Sequence, residues 1–181
     1  MSYTITRLLP LNEQFLDRDV YLILLHANRI PPHLIVLVGG KVFTLTVKGA
    51  TIDSDLAPLL RLIRKNNIET VFVRLNIPQL FTVEQLRAEI RKFILAYPRV
   101  EVGIATCLDP IKQFCGNVYD RSASQVNFIY ELLPKLEALK VVQACYQLNM
   151  EPWLKSDAYE ISPYSMNDIF EGIRKAEASG L

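Results

Sequence analysis

With 181 residues, 50% of them hydrophobic, the chain is long enough to bury a substantial core and short enough to form one domain, 1–181. A formal net charge of +1 supplies no overall pull toward nucleic acid or an anionic membrane, so neither partner is expected. The longest apolar runs, such as Val20–Leu25, fall far short of the ~20 residues that a membrane-spanning helix needs.

Taken in order, residues 3–9 have the composition of an edge strand, and residues 12–19 that of a polar connection or helical turn. Val20–Leu25 is apolar and β-prone, and it delivers His26 to a loop stiffened by Pro31-Pro32. The organising stretch is 28–47, where two strand-like runs flank Gly39-Gly40. Two glycines take φ > 0 without penalty, so they mark a two-residue hairpin turn. Counting outward sets Val38 opposite Lys41, Ile35 opposite Thr44 and His33 opposite Thr46. His33, Ile35 and Leu37 then share one face with Val42, Thr44 and Thr46, while Leu34, Val36 and Val38 share the other with Phe43 and Leu45. Both faces are mostly apolar, which places the hairpin in a sheet covered on both sides.

Asp53 or Ser54 is placed to cap a helix carrying Leu56, Leu59, Leu60 and Ile63 on one face, ended by Asn66-Asn67. Thr70–Leu75 reads as the next strand. Thr82 and Gln85 form a capping box. The helix behind it sets Val83, Leu86, Ile90, Phe93, Ile94 and Tyr97 on one side and Arg87, Glu89, Arg91 and Lys92 toward water, until Pro98 stops it. Residues 100–106 suit a strand, and Asp109-Pro110 suits the cap and first position of a short helix ended by Gly116-Asn117. Ser122 or Ser124 opens a longer helix in which Pro134 sets a kink or a stop. Residues 141–148 fit either element, 153–164 reads as loop, and Ser165 with Asp168 caps a final helix burying Ile169, Phe170 and Ile173. Helices and strands mix without a regular βαβ alternation. The expected class is therefore α+β: an antiparallel sheet with a central His-bearing hairpin, packed against several helices.

Two histidines and no Cys-x-x-Cys pair give no ligand spacing for zinc, and the seven glycines form no phosphate-binding loop, so neither metal nor cofactor is expected. Three cysteines without a close pair are not a disulfide framework. No basic stretch leads into an apolar run at the N-terminus, so the expected setting is cytoplasmic. Cys107 stands out because it precedes a helix start, where free N–H groups and the helix dipole favour a thiolate. A cysteine nucleophile also needs a histidine base and a group to orient it, and His33 and Thr46 are the candidates. The plainer alternative is that Cys107, like Cys115 and Cys145, packs as a small apolar side chain. Trp153, Tyr159 and Tyr164 can line a groove or pin their loop to the body of the domain.

The order of these features resembles the circularly permuted papain-like cysteine hydrolases and acyltransferases, relatives of lecithin–retinol acyltransferase and of bacterial cell-wall peptidases. The likeness rests on Pro-His-Leu-Ile-Val-Leu-Val from Pro32, the returning strand Lys-Val-Phe-Thr-Leu-Thr-Val from Lys41, the Thr82 helix and the later Cys107, and it covers 31–114. The resemblance implies a papain-like core over 31–114 with a helical extension over 117–181. It also implies Cys107 as nucleophile, His33 as base, Thr46 as the polar third residue, and an amide or ester substrate of small-molecule, peptide or acyl type. The chain departs from that family at Ile35, where a small residue is usual, and at Thr-Cys-Leu-Asp-Pro, where a polar or acidic signature is usual. Two other readings stand beside it. One is a non-catalytic binding module that uses the Pro31-Pro32 loop and residues 153–164, and the other is a structural oligomerisation protein.

Overall fold

The computed structural model describes residues 1–180. In chain order the elements are β1 (Tyr3–Ile5), β2 (Leu8–Pro10), β3 (Val20–Leu25), β4 (His33–Val38), β5 (Lys41–Thr46), β6 (Gly49–Asp55), α1 (Leu56–Lys65), β7 (Thr70–Leu75), α2 (Val83–Leu95), α3 (Leu108–Val118), α4 (Ile129–Ala138), β8 (Val142–Leu148), β9 (Tyr159–Ile161) and α5 (Met166–Ser179). Among the described residues seven strands form one sheet in the order β2-β8-β7-β3-β4-β5-β6, and β1 pairs with β9 in a separate two-stranded sheet. β2 runs parallel to β8, and every other neighbouring pair is antiparallel. This is the α+β arrangement expected, with the hairpin β4–β5 inside the sheet.

Period-two alternation decides what each face buries. Tyr21, Ile23 and Leu25 of β3 pack with Ile35, Leu37 and Phe72 under α1, which contributes Leu60 and Ile63. Val20, Leu22 and Leu24 point the other way, with Leu34, Val36 and Phe43, into a larger core closed by α2, α3, α4 and α5. The hairpin turns at Gly39 and Gly40, both at positive φ, and pairs Val38 with Lys41. The Thr82–Gln85 capping box and the Ser165–Asp168 box both form.

Several elements differ from expectation for identifiable reasons. Residues 3–9 divide between two sheets, because the chain turns at Arg7, which adopts φ 56°. β6 lies where a helix cap was expected; its polar Gly-Ala-Thr-Ile-Asp-Ser-Asp is tolerable because an edge strand needs one partner only. Residues 100–106 form a tight turn bridged between Glu101 and Ala105, with Gly103 at φ 74°, instead of a strand. The 117–181 stretch is no helical appendage, since β8 lies within the main sheet between β7 and β2. Arg87 and Arg91, expected in water, face the sheet. Arg87 donates to the carbonyls of Val38, at 3.1 Å, and Gly39, so it clamps the hairpin turn, and Arg91 grips Asp53 of β6 at 2.7 and 2.8 Å.

Candidate functional site

β4 begins at His33, opposite Leu25 of β3. The ladder between β4 and β5 runs from Val36↔Phe43 to Val38↔Lys41, and beyond it the imidazole leans to a diagonal neighbour. That neighbour is Thr44, whose Oγ1 lies 2.9 Å from His33 Nε2, and not Thr46. Thr46 is occupied elsewhere: its hydroxyl donates to the Gly49 carbonyl and accepts from the Lys48 amide, both at 3.2 Å, closing the β5–β6 turn. The Thr44 hydroxyl gives its single proton to the Leu34 carbonyl at 3.0 Å, so His33 Nε2 must be the donor in their contact. The hydrogen-bond network thus assigns a proton to Nε2, and burial, which disfavours the charged form, leaves Nδ1 as the unprotonated nitrogen. Burial, with the nearby His26 second, pushes the His33 pKa down to about 4. His26 stands at the end of β3 at φ 53°, and burial followed by Arg29 lowers its pKa too.

Cys107 is itself the N-cap of α3 rather than a residue ahead of it, and Asp109 falls in the first turn. The backbone of Leu34 and of Cys107 itself reaches the sulfur, while the rest of the helix start is engaged with Thr106 and Asp109. Leu108 donates to Thr106 Oγ1 at 3.2 Å, and Thr106 donates through its amide and hydroxyl to Asp109 at 2.6 and 2.9 Å. The helix start therefore already holds an anion, the Asp109 carboxylate, with Lys112 3.0 Å from it. Burial pushes the Cys107 thiol up to about 11, and Asp109 adds to the rise, against a lowering contact from the Leu34 backbone. Cys107 packs into the large core on the Leu34 side of β4, whereas alternation turns His33 to the Ile35 side with Thr44. The thiol meets the Leu34 backbone, and the imidazole bonds Thr44. Burial raises Cys145 to about 11 and Cys115 to about 12, so burial opposes ionisation at all three cysteines.

The structure does bring together two other segments that sequence marked, the Pro31-Pro32 loop and residues 153–164. They enclose a cavity of about 180 Å³ whose lining includes Ile30, Pro32, Trp153, Tyr159 and Ile161. Tyr159 ties the two walls together by donating its hydroxyl to the Ala27 carbonyl at 2.6 Å. Behind them Tyr164 sits edge-on to the stacked pair Phe128 and Tyr130, and Tyr130 donates to the Tyr164 carbonyl at 2.7 Å. The rim mixes exposed apolar side chains, Ile30 at 54% and Trp153 at 48%, with exposed Arg29, Glu160 and Ser162. Asn28 in the same lining buries an Oδ1 atom that has no hydrogen-bond partner, a situation that costs about 1–3 kcal/mol if left unrelieved. Arg29 and Glu160, also in the lining, form no ion pair among the described residues. A wider depression of about 380 Å³ bordered by Lys48, Arg99 and Glu177 contains no histidine, cysteine or tryptophan.

Thr44 and Asn28 escaped sequence reasoning. Thr44 was on the correct face, and only the prior engagement of Thr46 makes it the partner. Asn28 carried no signal at all, because an unmet hydrogen bond is a tertiary property. No group of three or more histidine, cysteine or acidic side chains placed to hold a metal ion occurs among the described residues, and no helix among them is long and apolar enough to cross a membrane. Comparison of the chain with protein-family models, with curated proteins and with solved structures finds no match.

Proposed function

We propose that this protein is a non-catalytic binding module whose recognition site is the cleft between residues 27–32 and 153–164, and that its partner is another polypeptide. One observation carries the reading: a single cavity collects half-exposed Trp153 and Ile30 with Arg29, Glu160 and a buried Asn28 oxygen that have no partner among the described residues. Exposed aromatic and apolar side chains around satisfied scaffolding are what interface anchors look like. At about 180 Å³ the cavity is smaller than the roughly 300–1,000 Å³ of sites that enclose a small molecule, and it suits one inserted side chain. The cysteine hydrolase or acyltransferase implied by resemblance needs a thiolate next to a base. Burial raises the Cys107 pKa and His33 is engaged with Thr44, and both weigh toward binding instead.

Trp153 is the only tryptophan in the chain, so its emission reports directly on the cleft. Screening a peptide library by tryptophan fluorescence and amide chemical shifts should yield ligands that move residues 27–32 and 153–164 together. Rapid labelling of Cys107 by an acyl-directed electrophile, lost in His33→Ala, would overturn the binding reading and favour the hydrolase.

A further inference from the structure

Building on that reading, we infer that the partner segment binds in extended form as a third strand on the free edge of β9, with one apolar side chain in the cavity and an acidic side chain beside Arg29. β9 pairs with β1 alone, so its far edge is unpaired among the described residues. The cavity is lined by Tyr159, Glu160, Ile161 and Ser162, four residues in succession. Side chains alternate between faces in a strand, so a space bordered by all three residues of β9 and by the Ser162 that follows reaches the strand's backbone along its edge as well as one face. Such an edge presents a row of backbone donors and acceptors, and the usual way to satisfy them is another extended chain. A two-stranded ribbon is also marginal by itself, and a third strand completes it.

The opposite wall agrees with an extended occupant. Loop 27–32 faces β9 across the cleft and supplies the unpartnered Asn28 Oδ1, an acceptor suited to a backbone N–H of the incoming chain. Arg29 brings a guanidinium that no carboxylate among the described residues meets, so an acid on the occupant completes it. Glu160 on the strand itself disfavours a second acid directly opposite. The preferred segment is therefore β-prone, with a central leucine or phenylalanine and an acid toward the Arg29 end.

The test uses synthetic heptapeptides of alternating valine and threonine with a central leucine or phenylalanine, carrying aspartate or lysine at one end or the other. Binding to the full chain is followed by Trp153 emission and amide shifts. The expected result is that aspartate at one end alone tightens binding, and that Arg29→Ala, a surface change, abolishes the aspartate preference while leaving the fold intact. Methylating the peptide's backbone nitrogens one at a time should weaken binding about tenfold at every second residue and little between, because only alternate N–H groups meet β9. Peptides that bind in the cleft with uniform sensitivity to N-methylation would overturn strand addition while leaving the binding module standing. If no peptide perturbs residues 27–32 or 153–164, both inferences fall together.

Discussion

The sheet centre and the cleft are a few residues apart along the chain and opposite in character. In β3, β4 and β7 the inward side chains are sealed: Tyr21, Ile23, Leu37 and Phe72 have no exposed surface, and the His33 imidazole is bonded to Thr44. Beyond the ends of β3 and β4 the chain leaves the sheet through His26 at positive φ, and within a few residues Ile30 stands in solvent and Asn28 buries an unmet oxygen. The lesson is that polarity alone does not mark a site in this protein. Unmet buried oxygens occur in both regions, on Tyr21 and Asn76 at the sheet and on Asn28 in the loop, but only Asn28 lies beside exposed apolar side chains, Ile30 and Trp153, in one cavity.

That contrast can be broken most sharply at the centre. Phe72→Ala removes a fully buried ring between β3 and β8 and should cost about 3–5 kcal/mol in urea unfolding. A cost under about 1 kcal/mol would mean that this face is loosely packed and the contrast is overstated. Next comes thiol reactivity. Raising Cys107 from 9.0 to about 11 leaves roughly a hundredfold less thiolate at neutral pH, so iodoacetamide should label it slowly in the folded protein. The rate should not change in His33→Ala, because the ring is bonded to Thr44 and does not contribute to the Cys107 shift; a drop would place the imidazole against the sulfur.

A smaller effect is expected from pH. The unfolded His33 titrates near 6.5 and the folded one near 4, so the unfolded chain takes the proton first as pH falls. Stability from this group is therefore complete above about 6.5 and is lost progressively down to about 4, by roughly 2 kcal/mol once partial exposure is discounted. His26 shifts in the same direction and adds to the slope. Urea midpoints between these limits should fall in the native protein and fall less in His33→Gln. A pH-independent midpoint would remove the buried neutral imidazole from the account. The smallest change is predicted at the cleft: Trp153→Ala should alter stability by less than about 0.5 kcal/mol while abolishing peptide binding. A large stability loss there would make Trp153 a pin for its loop and not a recognition residue.

The sequence by itself determined what is written locally. Gly39-Gly40 set the hairpin turn and its register because few residue pairs tolerate positive φ, and Thr82–Gln85 and Ser165–Asp168 set helix starts because their side chains bond their own backbone. The strands Val20–Leu25 and Thr70–Leu75 were legible as apolar β-prone runs whose composition suits burial on both faces. The tertiary structure alone decided what depends on distant partners. β6 is a strand because β5 supplies its ladder, and β8 is one because β7 and β2 flank it. His33 bonds Thr44 because Thr46 was already closing a turn, and Cys107 stays a thiol because burial and Asp109 oppose its ionisation. The cleft joins residues more than a hundred positions apart, held by the bond from Tyr159 to Ala27, and local sequence has no means of recording a contact of that range.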